Sequence, residues 1–486
     1  MPTHAIELND AGFTAASAAD GSEPALITGG SGGALGWPGF AVHDANGYRF
    51  GRPAEDEWLV HPRRVSHTFW SRLAHEPSGI GPAQRPAPRS ELAFHFLRDF
   101  LARSGLNIAQ RDQVALAVPG NYLKDAATEE ERIGLLLGMA HELRLPLAGL
   151  IDAACASLCD PRSDGFDSSL PVVVLDLQLE GADLTLVTTE GHLARANFVH
   201  LPNSGHARLQ KQLLATMGNR FLRHTAFDIL ADGRIEQLFF RQTKDFLLSG
   251  APDHRFQLNT ADRTYEMSAK RDQLVADAQA FTQELVQGVR EFVRHARAGR
   301  APCTLALSAA AALVPGLEAA LAAAGFTRQL RLPPGAAAVG AARIAAAKLK
   351  PLADIADAPL LTTVDLAFAQ QARVAAWDVQ LHPLPSHGAA PTPTHAIIEG
   401  IGHSLAGTGR CVIGLAGPGV DLALPASCRS AGAHQVTLLR APGAVRLLEK
   451  PTDAPEAGTT IHAGDQLIIR AGNDAPVTVL FAHCGT

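Results

Sequence analysis

Apolar and polar positions alternate from the start of the chain. Ala5-Ile6-Glu7-Leu8, the polar turn "NDAG" and then "FTAAS" predict a strand, a tight turn and a second strand. The period then lengthens to that of a helix over 90–104 ("SELAFHFLRDFLARS"). An apolar run at Val114–Val118 predicts a strand ending at Pro119, and a helix follows over 126–144. That helix has "TEEE" in its first turn and His141 and Arg144 in its last, as the helix dipole favours. A short strand near 147–151 and the small-residue helix "DAACASL" (152–158) lead into the most apolar stretch, "LPVVVLDLQLEGADLTL" (170–186). Its two Val/Leu runs, separated by a short break, predict a buried hairpin.

Two long amphipathic helical regions occupy 206–248 and 268–298. Next come a strand at 303–308 ("CTLALS") and a helix "VPGLEAALAAAG" that starts at a proline and stops at Gly325. "PPGAAAVGAARIAAAKL" repeats this loop-to-helix pattern. Strands alternating with helices in this order predict a mixed α/β class with helices packed on sheets. Composition changes over 351–395, where "HPLPSHGAAPTPTH" has the Pro/Ala/His bias of a linker; its prolines oppose a compact histidine metal cage. Beyond it, 396–486 loses the helical period. Short alternating strands between Gly, Pro and Asp turns predict a small all-β sandwich or barrel. The expected organisation is therefore 1–350, a connector and linker at 351–395, and an all-β tail at 396–486.

At 486 residues the chain is long enough for two or three domains. A hydrophobic fraction of 47% and a mean hydropathy of +0.05 supply ample core. The net charge of −6, with no long basic run, argues against nucleic acid as a partner. The first residues lack the pattern of a signal peptide and no segment has the length of a membrane span. Six cysteines without a Cys-x-x-Cys pair suit a reducing, cytoplasmic setting. Cys155 and Cys159 share a helix face, yet no nearby Cys/His pair completes a metal site, and small buried residues account for them. Gly29-Gly30-Ser31-Gly32-Gly33 has the G-x-S-x-G spacing of a nucleophile elbow, but Gly36-Trp37-Pro38 follows where a helix should begin. Asp176, at the end of its strand, reads either as a carboxylate holding a metal or water near phosphate, or as a turn carboxylate.

Several segments resemble the nucleotide-binding domain of the DnaK-type heat-shock chaperones, in the actin-like ATPase superfamily. "VALAVPGNYLKDAATEEERIGLLLGMAHELRLPLAGLIDAACASL" (114–158) is similar to that family's strand ending in Val-Pro, helix, strand and Ala-rich helix. Pro119 falls on its switch proline and Asp152 on the Glu of its "NEPTAAAL" segment. "VVVLDLQLEGADLTL" falls on the second phosphate hairpin, "DLGGGTFD", with Asp176 and Asp183 on its two acids. "LALSAAAALVPGLEAAL" (305–321) and "AAAVGAARIAA" (336–346) look like its adenosine-site and closing segments. The resemblance implies a two-lobed actin-like fold over 1–350, with ATP and Mg²⁺ between the lobes.

The departures fall where ATP would sit. Phosphate loops need glycines so that backbone N–H groups approach closely. The family's first loop, "DLGTTNS", is here Glu7-Leu8-Asn9-Asp10-Ala11-Gly12-Phe13, and the glycines of the second are Gln178, Leu179 and Glu180, followed by Gly181. Asp10 and Glu180 bring negative charge toward a would-be triphosphate. The adenosine loop is reduced to Ala309-Ala310-Ala311-Ala312-Leu313, and Ser71 stands where the family has its catalytic Lys, with Arg72 beside it as a substitute. Asp152, Asp176 and Asp183 remain. Asp176 and Asp183 could hold Mg²⁺ through water, and the alternative is a structural role for all three. Phosphoryl transfer depends on positioning and electrostatics, so these losses imply a pseudo-ATPase that needs no cofactor and works as a scaffold or regulator for a protein partner, such as an active chaperone. The alternative is an ATP-binding, slowly hydrolysing chaperone.

The tail faintly resembles a forkhead-associated (FHA) domain through "VIGLAGPGVDLALP" (412–425), "SAGAH" (430–434) and "HAGDQLIIRAG" (462–472). That likeness implies a phosphoprotein partner, with Arg410, Arg429 and Ser430 as the phosphate contacts. Leu415 stands where the FHA pattern has its Arg, and a general protein-interaction sandwich is the alternative.

Overall fold

The structure is a computed structural model describing residues 1–20, 22–27, 35–81, 86–163, 166–260, 263–296, 302–352, 354–371, 378–383, 391–398, 400–406, 409–415, 421–424, 435–441, 443–448, 458–470 and 477–483. The chain is mixed α/β and divides into two compact units, Met1–Ala372 and Arg373–Thr486. Among the described residues no helix is long and apolar enough to cross a membrane.

Among the described residues the first unit is built on two six-stranded sheets that match over five strands, the sixth strand lying on opposite edges. In the first, Thr3–Glu7 lies at the centre, antiparallel to Thr14–Ala18 and parallel to Gln113–Val118. Ala25–Leu26 continues one side, and Leu147–Asp152 and Leu360–Leu361 continue the other. In the second, Val172–Leu177 occupies the same place: antiparallel to Gly181–Thr188, parallel to Thr304–Leu307. His192–Pro202 and Thr363–Asp365 extend one side and Gln329–Arg331 the other. Each sheet thus begins with a hairpin and grows by parallel strands that need crossover helices. The central strands are buried on both faces, which is why Val172–Leu175 reads as an unbroken apolar run.

The Ala336–Lys348 helix follows the second sheet in sequence but packs on the first, against the Thr3–Glu7, Thr14–Ala18 and Gln113–Val118 strands and the Ala153–Ser157 helix. Ten of its residues, Ala336 to Ala345, are buried, and eight of these are Ala, Gly or Val. Small side chains are what such close packing requires. A Cβ on Gly340 would lie only 1.8 Å from the Ala156 carbonyl oxygen.

Three differences from the sequence reading have local causes. The 206–248 region is two helices, His206–Thr225 and Gly233–Ser249, because Ala226 turns left-handed (φ 57°) and Asp232 caps a new start by accepting from the Arg234 N–H. The helix expected to start at Pro315 begins instead at Leu317, after the left-handed Gly316. Ahead of the Arg271–Ala296 helix stands a hairpin, Asp253–Asn259 with Thr264–Lys270, where the sequence reading placed no strands.

The unit boundary also moves. Residues 351–395 are not a connector throughout: Leu360–Leu361 and Thr363–Asp365 pair with the sheets of the first unit, while Asp378–His382 pairs with Gln466–Arg470 in the second. Among the described residues the second unit has two five-stranded sheets around an apolar core that includes Ile413, Leu438, Leu467, Val479 and Phe481. One sheet runs Asp378–His382, Gln466–Arg470, Val477–Ala482, His395–Ile398, Ile401–Ser404, and the other Leu422–Leu424, Gly409–Leu415, Gln435–Ala441, Ala444–Leu448, Thr459–Ile461.

Overpacking a filled core costs about 1–3 kcal/mol. Gly340→Ala should therefore lower unfolding stability in urea by that amount, whereas Gly134→Ala, on a helix face with no neighbour within 4 Å, should not lower it. Equal stability of Gly340→Ala and the parent would show that the helix does not pack this closely on Ala156.

Candidate functional site

The two hairpins present their loops to each other, and the loops are bonded together. Asn9 Nδ2 donates to Asp176 Oδ1 at 2.9 Å, and its own Oδ1 accepts from the Ala11 N–H, which folds the first loop back. In the reverse direction Leu179 N–H donates to Asp10 Oδ1 at 2.6 Å. The loop residue Leu179 thus gives its backbone donor to a carboxylate of this same chain. Gly12 is required here because a Cβ would lie 2.0 Å from the Leu35 carbonyl oxygen.

Between the loops remains a cavity of about 50 Å³, bordered by Glu7, Asn9, Asp176, Ser157, Ser308 and the 333–337 segment. That is room for a few waters. Ligand pockets for drug-sized molecules run to roughly 300–1,000 Å³.

The carboxylates on this floor crowd one another. Burial pushes Asp176 up to about 8, with the charges of Glu7 and Asp183 adding to the rise. Burial likewise pushes Asp10 up to about 7: its bond from Leu179 opposes the change, and Glu180 and Asp183 reinforce it. Glu7, which accepts a 2.7 Å bond from Thr14 Oγ1, is raised as well, again through burial. Burial would raise Glu180 too. Its 2.8 Å contact with His67 and the charges of Arg72 and Lys211 outweigh that and hold it below its ordinary range.

Asp183 and Asp152 are fully engaged in a second polar seam. Asp183 accepts from the Asn121 N–H and from Gln178 Nε2, both at 2.9 Å, and lies 2.7 Å from His200 Nδ1. Gly181 leaves the room that the His200 ring occupies, 2.5 Å from where a Cβ would stand. Asp152 caps the Ala153–Ser157 helix by accepting from the Cys155 N–H and pairs with Arg195 Nη1 at 2.8 Å. Arg195 Nη2 in turn donates to the Gly120 and Leu123 carbonyls.

The residues picked out from the sequence therefore separate into groups. Glu7, Asn9, Asp10, Ala11, Gly12, Asp176, Gly181 and Asp183 gather at the facing hairpins, and Ala309 and Ala310 border the cavity behind the capping Ser308. Ser71 bonds its own turn, donating to the Thr68 carbonyl, and Arg72 is exposed, acting on the site only through its charge on Glu180. Among the described residues no group of three His, Cys, Asp or Glu side chains is placed to hold a metal; Asp176 Oδ1 accepts from Asn9, and Asp183 Oδ2 from Asn121 and Gln178. Arg410 is exposed in the second unit, while Arg429 and Ser430 lie outside the described residues. The sequence pattern does not point to Arg195, His200 or Asn121 as site-forming groups, and it places Gln178 in the second loop without its bond to Asp183. No protein-family model matches the chain, and no curated protein matches it.

A carboxyl group whose pKa is higher in the folded chain than in the unfolded one keeps a proton the unfolded chain releases, so stability falls as pH rises toward the folded value. His206, which burial and Lys244 depress to about 3, works the other way, but only below its unfolded value of about 6.5. Between about pH 6.5 and 8 the carboxyls act without it. Stability in urea should drop across that window by on the order of 1–2 kcal/mol, and Asp176→Asn should flatten the drop. An unchanged slope in Asp176→Asn would show that Asp176 does not hold the extra proton.

Proposed function

We propose that the Met1–Ala372 unit is a two-lobed, actin-like ATPase fold of the DnaK type that no longer works as an ATPase, and that the protein serves as a scaffold or regulator for a protein partner in the cytoplasm. The reading draws support from the two sheets matching over five strands, each opening on a hairpin. One observation carries it. The loops that would cradle phosphates are bonded to each other, through Asn9 to Asp176 and Asp10 to Leu179. The backbone donor of Leu179 is spent, the cavity is about 50 Å³, and four acidic side chains, Glu7, Asp10, Asp176 and Asp183, stand where a polyphosphate would need cations and N–H donors.

The partner is a protein because nothing in the charge balance favours nucleic acid. The all-β second unit would supply a further recognition surface, and an FHA-like phosphopeptide role for it would need its loops, since Arg410 alone of the three expected contacts is described. An active chaperone or a phosphoprotein are the two partner classes that fit.

Isothermal titration calorimetry of the whole chain with ATP and Mg²⁺, and separately with ADP, tests the reading. No saturable heat is expected up to about millimolar ligand, a binding energy of only about 4 kcal/mol. Micromolar affinity would overturn it in favour of an ATP-binding, slowly hydrolysing chaperone, in which Asp152, Asp176 and Asp183 serve Mg²⁺ through water.

A further inference from the structure

The Ala126–Glu142 helix buries one face, through Leu136, Met139 and Ala140. On another face Glu130, Ile133, Gly134, Leu137 and His141 recur at steps of three and four residues. Ile133 and Leu137 are half-buried there, and the other three are exposed. Along this face runs a groove of about 490 Å³ whose apolar lining is Leu123, Ile133 and Leu137. Its acidic lining is Asp125, Glu129 and Glu130.

Two further features suit this groove to a second helix. Gly134 and Gly138 lie one turn apart and exposed, and a Cβ on either would meet nothing within 4 Å. Glycine weakens a helix interior relative to alanine, and what it allows is the close approach of another backbone. The charges are also divided along the helix. Glu129 and Glu130 near its start have no ion-pair partner among the described residues. Lys124 lies by Asp125 at 3.7 Å, and Arg132 turns to the Asn121 carbonyl and the Tyr122 ring. At the other end His141 and Arg144 are exposed, and neither has an acidic partner among the described residues. Acid at the start and base at the end make the face complementary to a reversed copy of itself.

We propose that this groove is occupied by a second copy of the chain, the two Ala126–Glu142 helices packing antiparallel across a twofold axis. An axis near residue 136 sets Gly134 against Gly138 of the second copy, so the backbones approach where no side chain intervenes. It also brings Glu130 within one helical turn of His141 and Arg144 of the second copy. Glu142 points away, about 120° round the helix from Glu130. Ile133 and Leu137 of both copies cover each other's apolar lining. Every contact occurs twice, as a twofold interface requires. A parallel pairing would instead set the Glu129 and Glu130 side chains of both copies together, which repels. The helix has 17 residues, so a contact confined to it is small and the dimer is weak. The pairing stands whether or not the first unit binds nucleotide.

Sedimentation velocity of the full chain, from about 1 to 300 µM, is the test. A monomer–dimer equilibrium with a Kd on the order of 10–100 µM is expected. Gly134→Leu puts bulk between the backbones and should weaken the dimer about tenfold or more, while favouring the isolated helix. Glu130→Arg and Arg144→Glu, both at exposed positions, should each weaken it about tenfold. The two together in one chain should restore it, because the exchange keeps opposite charges facing each other. A chain that stays monomeric to about 300 µM would overturn the assignment. So would a dimer that Gly134→Leu leaves unchanged, or charge variants that the double exchange fails to rescue. A monomeric chain that binds an added lysine-rich amphipathic peptide would give the groove to a foreign basic helix, and that too rejects the second copy.

Discussion

The bond between the two hairpin loops is the constraint on which the first unit turns. Two sheets that match over five strands could face each other across an open cleft. Instead, Asn9 reaches Asp176 and Leu179 reaches Asp10, so the ends of both central strands are tied. Everything around these contacts is shaped to allow them. Gly12 lets the first loop approach Leu35, and Gly205 lets the start of the His206–Thr225 helix lie against the second loop, where a Cβ would be 2.3 Å from the Leu179 carbonyl. His206 and Ala207 complete the closure by donating their backbone N–H groups to the Gln178 and Leu179 carbonyls. The helix N-terminus is thereby satisfied by protein, and its positive end is turned on a loop carbonyl rather than on a ligand anion.

Closure brings an electrostatic conflict. Four acidic groups share a buried region, and burial together with their mutual repulsion raises Asp176 to about 8 and Asp10 to about 7, so protons take the part that cations would otherwise play. One oxygen of Asp10 remains buried and unpaired. Such strain persists only where the surroundings over-determine the geometry, and they do so through a separate seam in which no acid is left alone: Asp183 with Asn121, Gln178 and His200, and Asp152 with Arg195. The first seam stores the conflict and the second holds the sheets in register against it.

Local pattern made the central hairpin legible. "VVVLDLQLEGADLTL" can only be buried, its break is too short for anything but a turn, and Asp176 and Asp183 come out as a cross-strand pair. The Ala-rich 336–346 segment was legible for the same reason, small residues over three turns. The Asp253–Asn259 strand was not: only Phe256 and Leu258 are buried, and its other residues look like a loop until the Gly233–Ser249 helix covers one face. Leu360–Leu361 and Thr363–Asp365 are too short to show a period, so the chain's return to both sheets could not be read from 351–395. In the site, the acids were visible and their partners were not. Arg195 lies 43 residues from Asp152 and Asn121 lies 62 from Asp183, separations that no local pattern encodes.

Asp152 illustrates how little a buried acid says about chemistry. One of its oxygens caps a helix and the other holds a guanidinium that also braces the Gly120 and Leu123 carbonyls. Removing one partner of such a buried pair costs about 3–5 kcal/mol, so folding alone would keep both residues in place without any metal or nucleotide. Asp10 is the contrasting case. Its carboxylate is strained and half-satisfied, and its contact serves to close the loops, so its presence bears on function in a way that Asp152 does not. The acid takes a backbone donor of the second loop, and that argues that closure itself is what the contact maintains.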